Sequence, residues 1–231
     1  MNVIIIGGTS GIGKGLWEHY ANGNNKVAII GRRSELLTTL YKYKPNNTLT
    51  YNFDITQIDY IEKNLNSIFS DLGKVDLVIL SAGTGDINST LDFSKERNTI
   101  NTNILGWTAC ADIVYNKLQA QGYGHLVTIT SVGGLKAEPS APAYSATKAY
   151  QINYTKALQG KSKGTDILIS EVRPGLTDTQ MAKGDSLFWV MPVNKVVKQI
   201  VSGISKRKST ITVSKRWKLI SFFLKLFYLI K

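Results

Sequence analysis

The stretch Val3-Ile4-Ile5-Ile6-Gly7-Gly8 leaves the chain few folds to choose from. Four consecutive apolar residues with no polar alternation suit a strand covered on both faces, and such strands belong to parallel sheets flanked by helices. Gly7-x-x-x-Gly11-x-Gly13 follows at once, and a helix opens at about Ile12. The alternation then recurs: strand Lys26–Ile30, helix 34–43, strand Leu49–Phe53, helix 57–71, strand Val75–Leu80, a long helical stretch over roughly 94–120, strand Val127–Thr130, helix 144–161, strand Ile167–Val172 and helix 193–205. This order predicts an α/β fold, a single doubly wound parallel sheet with helices on both faces. A chain of 231 residues suffices for one such domain with a sizeable core.

Ligands of such sheets sit beyond the C-terminal ends of the strands. The glycine loop, Arg32, Asp54, Ala82-Gly83 and Ser131 all fall there. Glycines let a backbone turn sharply and approach a diphosphate, while a helix N-terminus offers free N–H groups and positive dipole. A tight strand–helix turn also needs glycine, so the trio alone is a weak signal. Its place between a first strand and a helix favours nucleotide binding. At the end of the second strand an acidic residue would hold a ribose 2′-hydroxyl, whereas arginine accommodates a 2′-phosphate. Here Arg32 and Arg33 stand in place of the acid, which points to NADP(H) in preference to NAD(H). The plainer reading makes both arginines solvated residues at a helix start, but a helix N-terminus is a poor place for cations.

Val127 to Tyr150 carries the candidate chemistry. Ser131 ends a β-branched strand, and Tyr144 and Lys148, four apart, project from one face of the next helix. A hydroxyl, a phenol and an ammonium can then meet at one point. A free tyrosine has a pKa of about 10, and an adjacent ammonium is expected to lower it, fitting Tyr144 for general acid–base work on a carbonyl oxygen. Tyr-x-x-x-Lys alone is common in a chain this rich in both residues; its company gives it weight. Asn103 and Gly106, deep in the long helical stretch, are costly helix residues. Asn103 reads either as a break with a polar group aimed at the site or as a surface asparagine. Pro174-Gly175-Leu176-Thr177-Asp178-Thr179 stops a strand at the same edge, and Asp185–Val193 is expected to flank a substrate before helix 193–205.

Composition narrows the classes further. The single cysteine, Cys110, excludes an internal disulfide and fits a reducing, cytoplasmic compartment. With His19 and His125 it makes no metal-ligand cluster, and the N-terminus has no basic region of a signal peptide. The net charge of +12 is uneven: residues 195–231 hold ten basic and no acidic side chains. Within them, 215–231 reads KRWKLISFFLKLFYLIK, with Ser214, Lys218, Ser221 and Lys225 forming one polar stripe in an otherwise apolar helix. That segment is too short to span a bilayer but suits the interface of an anionic membrane. Burial against a second subunit competes with this reading. Nucleic acid is disfavoured, because the aromatics form an unbroken apolar face instead of alternating with charge.

Together these segments resemble the short-chain dehydrogenase/reductase family, classical type, over about residues 1–214, with 215–231 as an appended basic helix. Gly7-Gly8-Thr9-Ser10-Gly11-Ile12-Gly13 is similar to the family's cofactor loop. Asp54-Ile55 matches its adenine contact, and Tyr144-Ser145-Ala146-Thr147-Lys148 its catalytic motif. Pro174-Gly175 with Thr177 and Thr179 matches the loop near the nicotinamide carboxamide. The resemblance implies a Rossmann-type domain that forms a homo-dimer or tetramer and interconverts a carbonyl and an alcohol of a small molecule. It makes Tyr144 the proton donor, Ser131 the carbonyl-orienting hydroxyl and Lys148 the holder of the nicotinamide ribose. Asn103 would hold a water linking Lys148 to solvent, and Thr9 and Arg32 would take the 2′-phosphate. Two departures stand out: Leu80-Ser81-Ala82-Gly83 replaces Asn-Asn-Ala-Gly, and Ile6 replaces the usual threonine. Neither removes a reacting group, so weakened local bracing is expected. A non-catalytic nucleotide sensor or scaffold assembled through its C-terminal helix is the alternative. A sugar-nucleotide epimerase on the same core fits less well, since 180–231 is short for a substrate domain.

Overall fold

The structure, a computed structural model, describes residues 1–181, 189–214 and 216–217. Seven parallel strands form one sheet: β1 (Asn2–Ile6), β2 (Lys26–Gly31), β3 (Thr48–Asn52), β4 (Leu77–Leu80), β5 (Tyr123–Ile129), β6 (Asp166–Pro174) and β7 (Thr210–Val213). Their order is β3-β2-β1-β4-β5-β6-β7, a Rossmann-type arrangement. The chain winds outward from β1 to β3, returns to β4 beside β1, and winds outward again. The crevice where that order reverses, between β1 and β4, is where such a sheet accepts a ligand.

Helices α1 (Gly11–Tyr20), α2 (Ser34–Tyr43) and α7 (Val193–Ser205) cover one face. Helices α3 (Ile58–Leu72), α5 (Trp107–Gln121) and α6 (Pro142–Lys161) cover the other. Side chains alternate across β1: Val3 and Ile5 join the first layer, Ile4 and Ile6 the second, and all four have no exposed surface. This is why the run shows no polar alternation. Trp17 anchors α1 to β3, its indole N–H donating to Thr48 Oγ1 at 3.0 Å.

The sequence reading misses β7, whose Thr-Ile-Thr-Val buries Ile211 and Val213 at the sheet edge, four residues being too short a period-two signal. The stretch read as one helix over 94–120 is also corrected. Helix α4 (Phe93–Ile100) leads into a π-helical turn at Asn101–Gly106, and only then does α5 begin. Gly106 explains part of this, since a Cβ there would lie 2.2 Å from the Ile55 carbonyl oxygen. The lid residues 182–188, and the tail beyond Ser214 except Arg216 and Trp217, lie outside the described residues.

Candidate active site

The strands' C-terminal ends open into a cleft of about 760 Å3. Gly7, Thr9, Ser10, Gly11, Ile12, Arg32, Arg33, Asp54, Ile55, Ala82, Gly83, Ser131, Tyr144, Lys148, Pro174, Gly175, Thr177 and Thr179 all line it. Of the predicted residues only Gly13 and Asn103 stand behind its wall.

One end is built of backbone. Gly7 has φ +88°, a conformation side chains disfavour, and a Cβ on it would lie 2.6 Å from the Ala82 nitrogen. Loops after β1 and β4 therefore touch across the crevice. Gly13 packs against the Gly7 carbonyl so closely that a Cβ would lie 2.1 Å from its oxygen. Ser10 precedes α1 without capping it by its side chain, and the first turn holds no acid. The α1 N–H groups thus present an uncompensated positive end to the cleft, a cradle that fits a diphosphate.

The two arginines divide their contacts. Arg33 Nη2 donates to Thr9 Oγ1 at 2.8 Å and to Ser10 Oγ at 2.7 Å, so it, more than Arg32, joins the glycine loop. Arg32 pairs with Asp54 at 3.4 Å, with its side chain 60% exposed. Burial pushes the Asp54 pKa up, but hydrogen bonds from the Thr56 N–H and hydroxyl, with Arg32, outweigh it and hold the carboxylate ionised. Ile55 is buried beside Gly106 of the π turn, Thr179 stands over Gly11, and Thr177 donates to the Gly175 carbonyl at 3.1 Å.

The other end is a web of buried and half-buried side chains. Ser131 leaves β5 and accepts from the Gly133 N–H at 3.0 Å, while Tyr144 and Lys148 reach the cleft from α6. Asn103 is fully buried, which settles it as no surface asparagine. Its Oδ1 accepts from the Thr84 N–H at 2.8 Å, and its Nδ2 donates to the Thr84 carbonyl at 2.7 Å and to Thr147 Oγ1 at 3.0 Å. It clamps the loop after β4 to the helix that carries Tyr144 and Lys148. Thr130 donates to Glu171, which also holds Arg173 at 2.5 Å, so a buried ion pair braces the ends of β5 and β6.

Electrostatics here correct the sequence reading. Burial raises the Tyr144 pKa above its ordinary value, and the opposing influence is the Ser131 hydroxyl. Burial lowers Lys148 to about 7. Lys148 Nζ lies 5.9 Å from the Tyr144 ring centroid, on the same face of α6. Desolvation dominates both groups before anything polar enters the cleft.

Several contributors escaped the sequence reading. A Cβ on Gly85 would lie 2.3 Å from the Tyr144 ring, so only glycine passes there. Gln151, three residues after Lys148 on the same face of α6, accepts from its ammonium at 2.8 Å; that spacing was a usable signal. Trp217 packs on Gly175 and lines the cleft, placing the start of the tail against the site.

A family model described as short chain dehydrogenase matches residues 1–187. A probable NADP-dependent dehydrogenase of Haemophilus influenzae is 27% identical over 176 residues, covering 75% of this chain and 70% of that protein. A short-chain dehydrogenase from Sphingobium yanoikuyae in complex with NADPH has a TM-score of 0.82 and 23% identity, covering 95% of this chain and 91% of that one. A Burkholderia phymatum short chain dehydrogenase/reductase in complex with NAD has a TM-score of 0.84 and 16% identity, with the same coverage. At these identities the two superpositions speak to the fold.

Proposed function

Because the chain belongs to the short chain dehydrogenases, an oxidoreductase family, we propose that it reduces a carbonyl with NADPH, or oxidises the corresponding alcohol. The observation that carries this reading is the meeting of Ser131, Tyr144 and Lys148 in the cleft that also holds the glycine cradle. Bound NADP(H) would exchange the hydride. The Gly7–Gly13 backbone and the α1 N-terminus would hold the diphosphate. Arg33, with Thr9, Ser10 and Arg32, would take the 2′-phosphate, which favours NADP(H) over NAD(H). Asp54 and Ile55 would flank the adenine, and Ala82, Gly83, Pro174, Gly175, Thr177 and Thr179 the remainder.

The chain's own groups then handle the oxygen. Ser131 hydrogen-bonds the carbonyl and fixes its orientation. Tyr144 delivers the proton in reduction and removes it in oxidation. Lys148 favours the tyrosinate as that proton leaves and offers an N–H to the nicotinamide ribose. Ile87, Leu176, Met181 and Trp217 make the cleft wall apolar, which suits a small hydrophobic ketone or alcohol. The test is NADPH consumption against a panel of aromatic and aliphatic ketones. Turnover in wild type that vanishes in Tyr144→Phe supports the reading; equal rates in both overturn it.

Segment 215–231 would add a peripheral membrane contact to a cytoplasmic homo-dimer or tetramer. Its apolar arc and basic residues carry that reading. Equal sedimentation of the full chain and a 1–214 truncation with anionic liposomes would contradict it.

A further inference from the structure

Gln151 has no exposed surface, yet nothing in the acid–base chemistry above uses it. Its Oε1 accepts from Lys148 Nζ at 2.8 Å, and its Nε2 donates to the Asn103 backbone carbonyl at 2.9 Å. The amide cannot be turned over. Reversed, its NH2 would face the ammonium and its oxygen would face a carbonyl, two repulsive contacts. The orientation is therefore fixed from both sides.

Lys148 has few other partners. The Ile129 carbonyl accepts from Nζ at 3.3 Å, and Gly83, in the loop that also carries Asp86, closes over it. Tyr144 is the titratable side chain beside it on α6, and the π turn contributes Asn103 through Gln151. Among the described residues the ion pairs are Lys14–Glu18, Arg32–Asp54 and Arg173–Glu171, and none includes Lys148. An ammonium has three N–H groups. Gln151 and Ile129 engage two, which leaves one for whatever occupies the cleft.

We propose that Gln151 is a positioning residue for the reaction: its amide ties Lys148 to the π turn at Asn103, favouring the ammonium and aiming its remaining N–H into the cleft. This rests on the functional reading above. It also revises the water-mediated link between Lys148 and Asn103 that the family resemblance implies, because here a side-chain amide spans those two groups. An amide donates and accepts but keeps its own hydrogens, so the link orients Lys148 and does not relay protons.

The sign of the effect follows. Without the Gln151 acceptor the ammonium form of Lys148 is disfavoured. Lys148 then gives up its proton at lower pH, and since a neutral lysine no longer favours the tyrosinate, the turnover that needs the ammonium is lost at lower pH. The test uses Gln151→Met, which nearly conserves volume, and Gln151→Asn, which keeps the amide but falls short of spanning both partners. NADPH and an aromatic 1,2-diketone are the probes, and kcat is recorded against pH. In Gln151→Met we expect Tm to stay close to that of wild type, the NADPH Kd to stay within about twofold, kcat to fall about tenfold, and the alkaline limb to move down by about half to one pH unit. Gln151→Asn should move the limb the same way, and it carries the test if the methionine variant does not fold. A limb that stays in place in either folded variant, whatever happens to KM or Tm, assigns Gln151 to packing and overturns the proposal. Wild type that turns over no carbonyl with NADPH overturns the functional reading and this inference together. Wild-type turnover that is lost in Tyr144→Phe but unmoved in Gln151→Met overturns this inference alone.

Discussion

The two ends of the cleft meet a ligand by different means. Around Gly7–Gly13 the contacts are backbone and exposed cations: Arg32 pairs with Asp54 in solvent, where such a pair is worth about 0–1 kcal/mol. Around Asn103, Lys148 and Gln151 they are buried side chains joined by short hydrogen bonds, with half-buried Ser131 and Tyr144 facing the cleft. An exposed end tolerates loss of one member, because water replaces the missing partner. In a buried web, losing one member leaves another unsatisfied. Binding strength should therefore depend on the first end in separable increments, and turnover on the second as a unit.

That contrast can be broken at several points. The largest expected effect is in Tyr144→Phe, which removes the proton donor: kcat should fall by about a thousandfold while the NADPH Kd stays within about twofold. Comparable losses in both would mean that the ends are not separable. Gly13→Ala drives a methyl into the Gly7 carbonyl. It should cost about 1–3 kcal/mol of stability and remove nucleotide-induced stabilisation, which thermal melts with and without NADPH will show. Arg33→Ala should weaken NADPH by about tenfold and leave NADH unchanged, with Arg32→Ala weaker still in effect, since Arg33 alone reaches Thr9 and Ser10. Fluorescence titration with both nucleotides checks it.

The last effect concerns pH. Lys148 titrates at about 7 in the fold, against 10.5 ordinarily. Between those values the unfolded chain binds more protons than the native state. The burden of the buried ammonium is thus fully present below about pH 7 and is relieved as pH rises toward about 10. Tyr144, shifted upward, titrates above that window. Nucleotide-free wild type should gain stability relative to Lys148→Met across pH 7–10, and a constant difference in urea melts would contradict it.

The backbone end was legible in the sequence because apolar runs, glycines and helix starts are local signals. Helices 34–43 and 193–205 match the structure at both ends. The catalytic web was legible only where a motif names its members. Thr84 and Gly85 act through neighbours distant in sequence, Asn103 and Tyr144, and periodicity carries no trace of them, while for Gln151 it shows the spacing from Lys148 but not the bond to Asn103. The π turn likewise depends on a contact between Gly106 and Ile55, fifty-one positions apart, which no helix propensity encodes. Desolvation of Tyr144 and Lys148 is a property of the assembled wall, so the sequence suggested the opposite direction for the tyrosine.

The most direct test of the central claim is a titration of purified wild-type protein with NADPH and, separately, NADH, followed by its melting temperature. Saturation at about 100 times Kd should add about 2.7 kcal/mol of stability. The account predicts stabilisation by both nucleotides, with NADPH acting at the lower concentration and that advantage lost in Arg33→Ala. No stabilisation by either nucleotide would mean that the glycine cradle is only a turn, and would contradict the account.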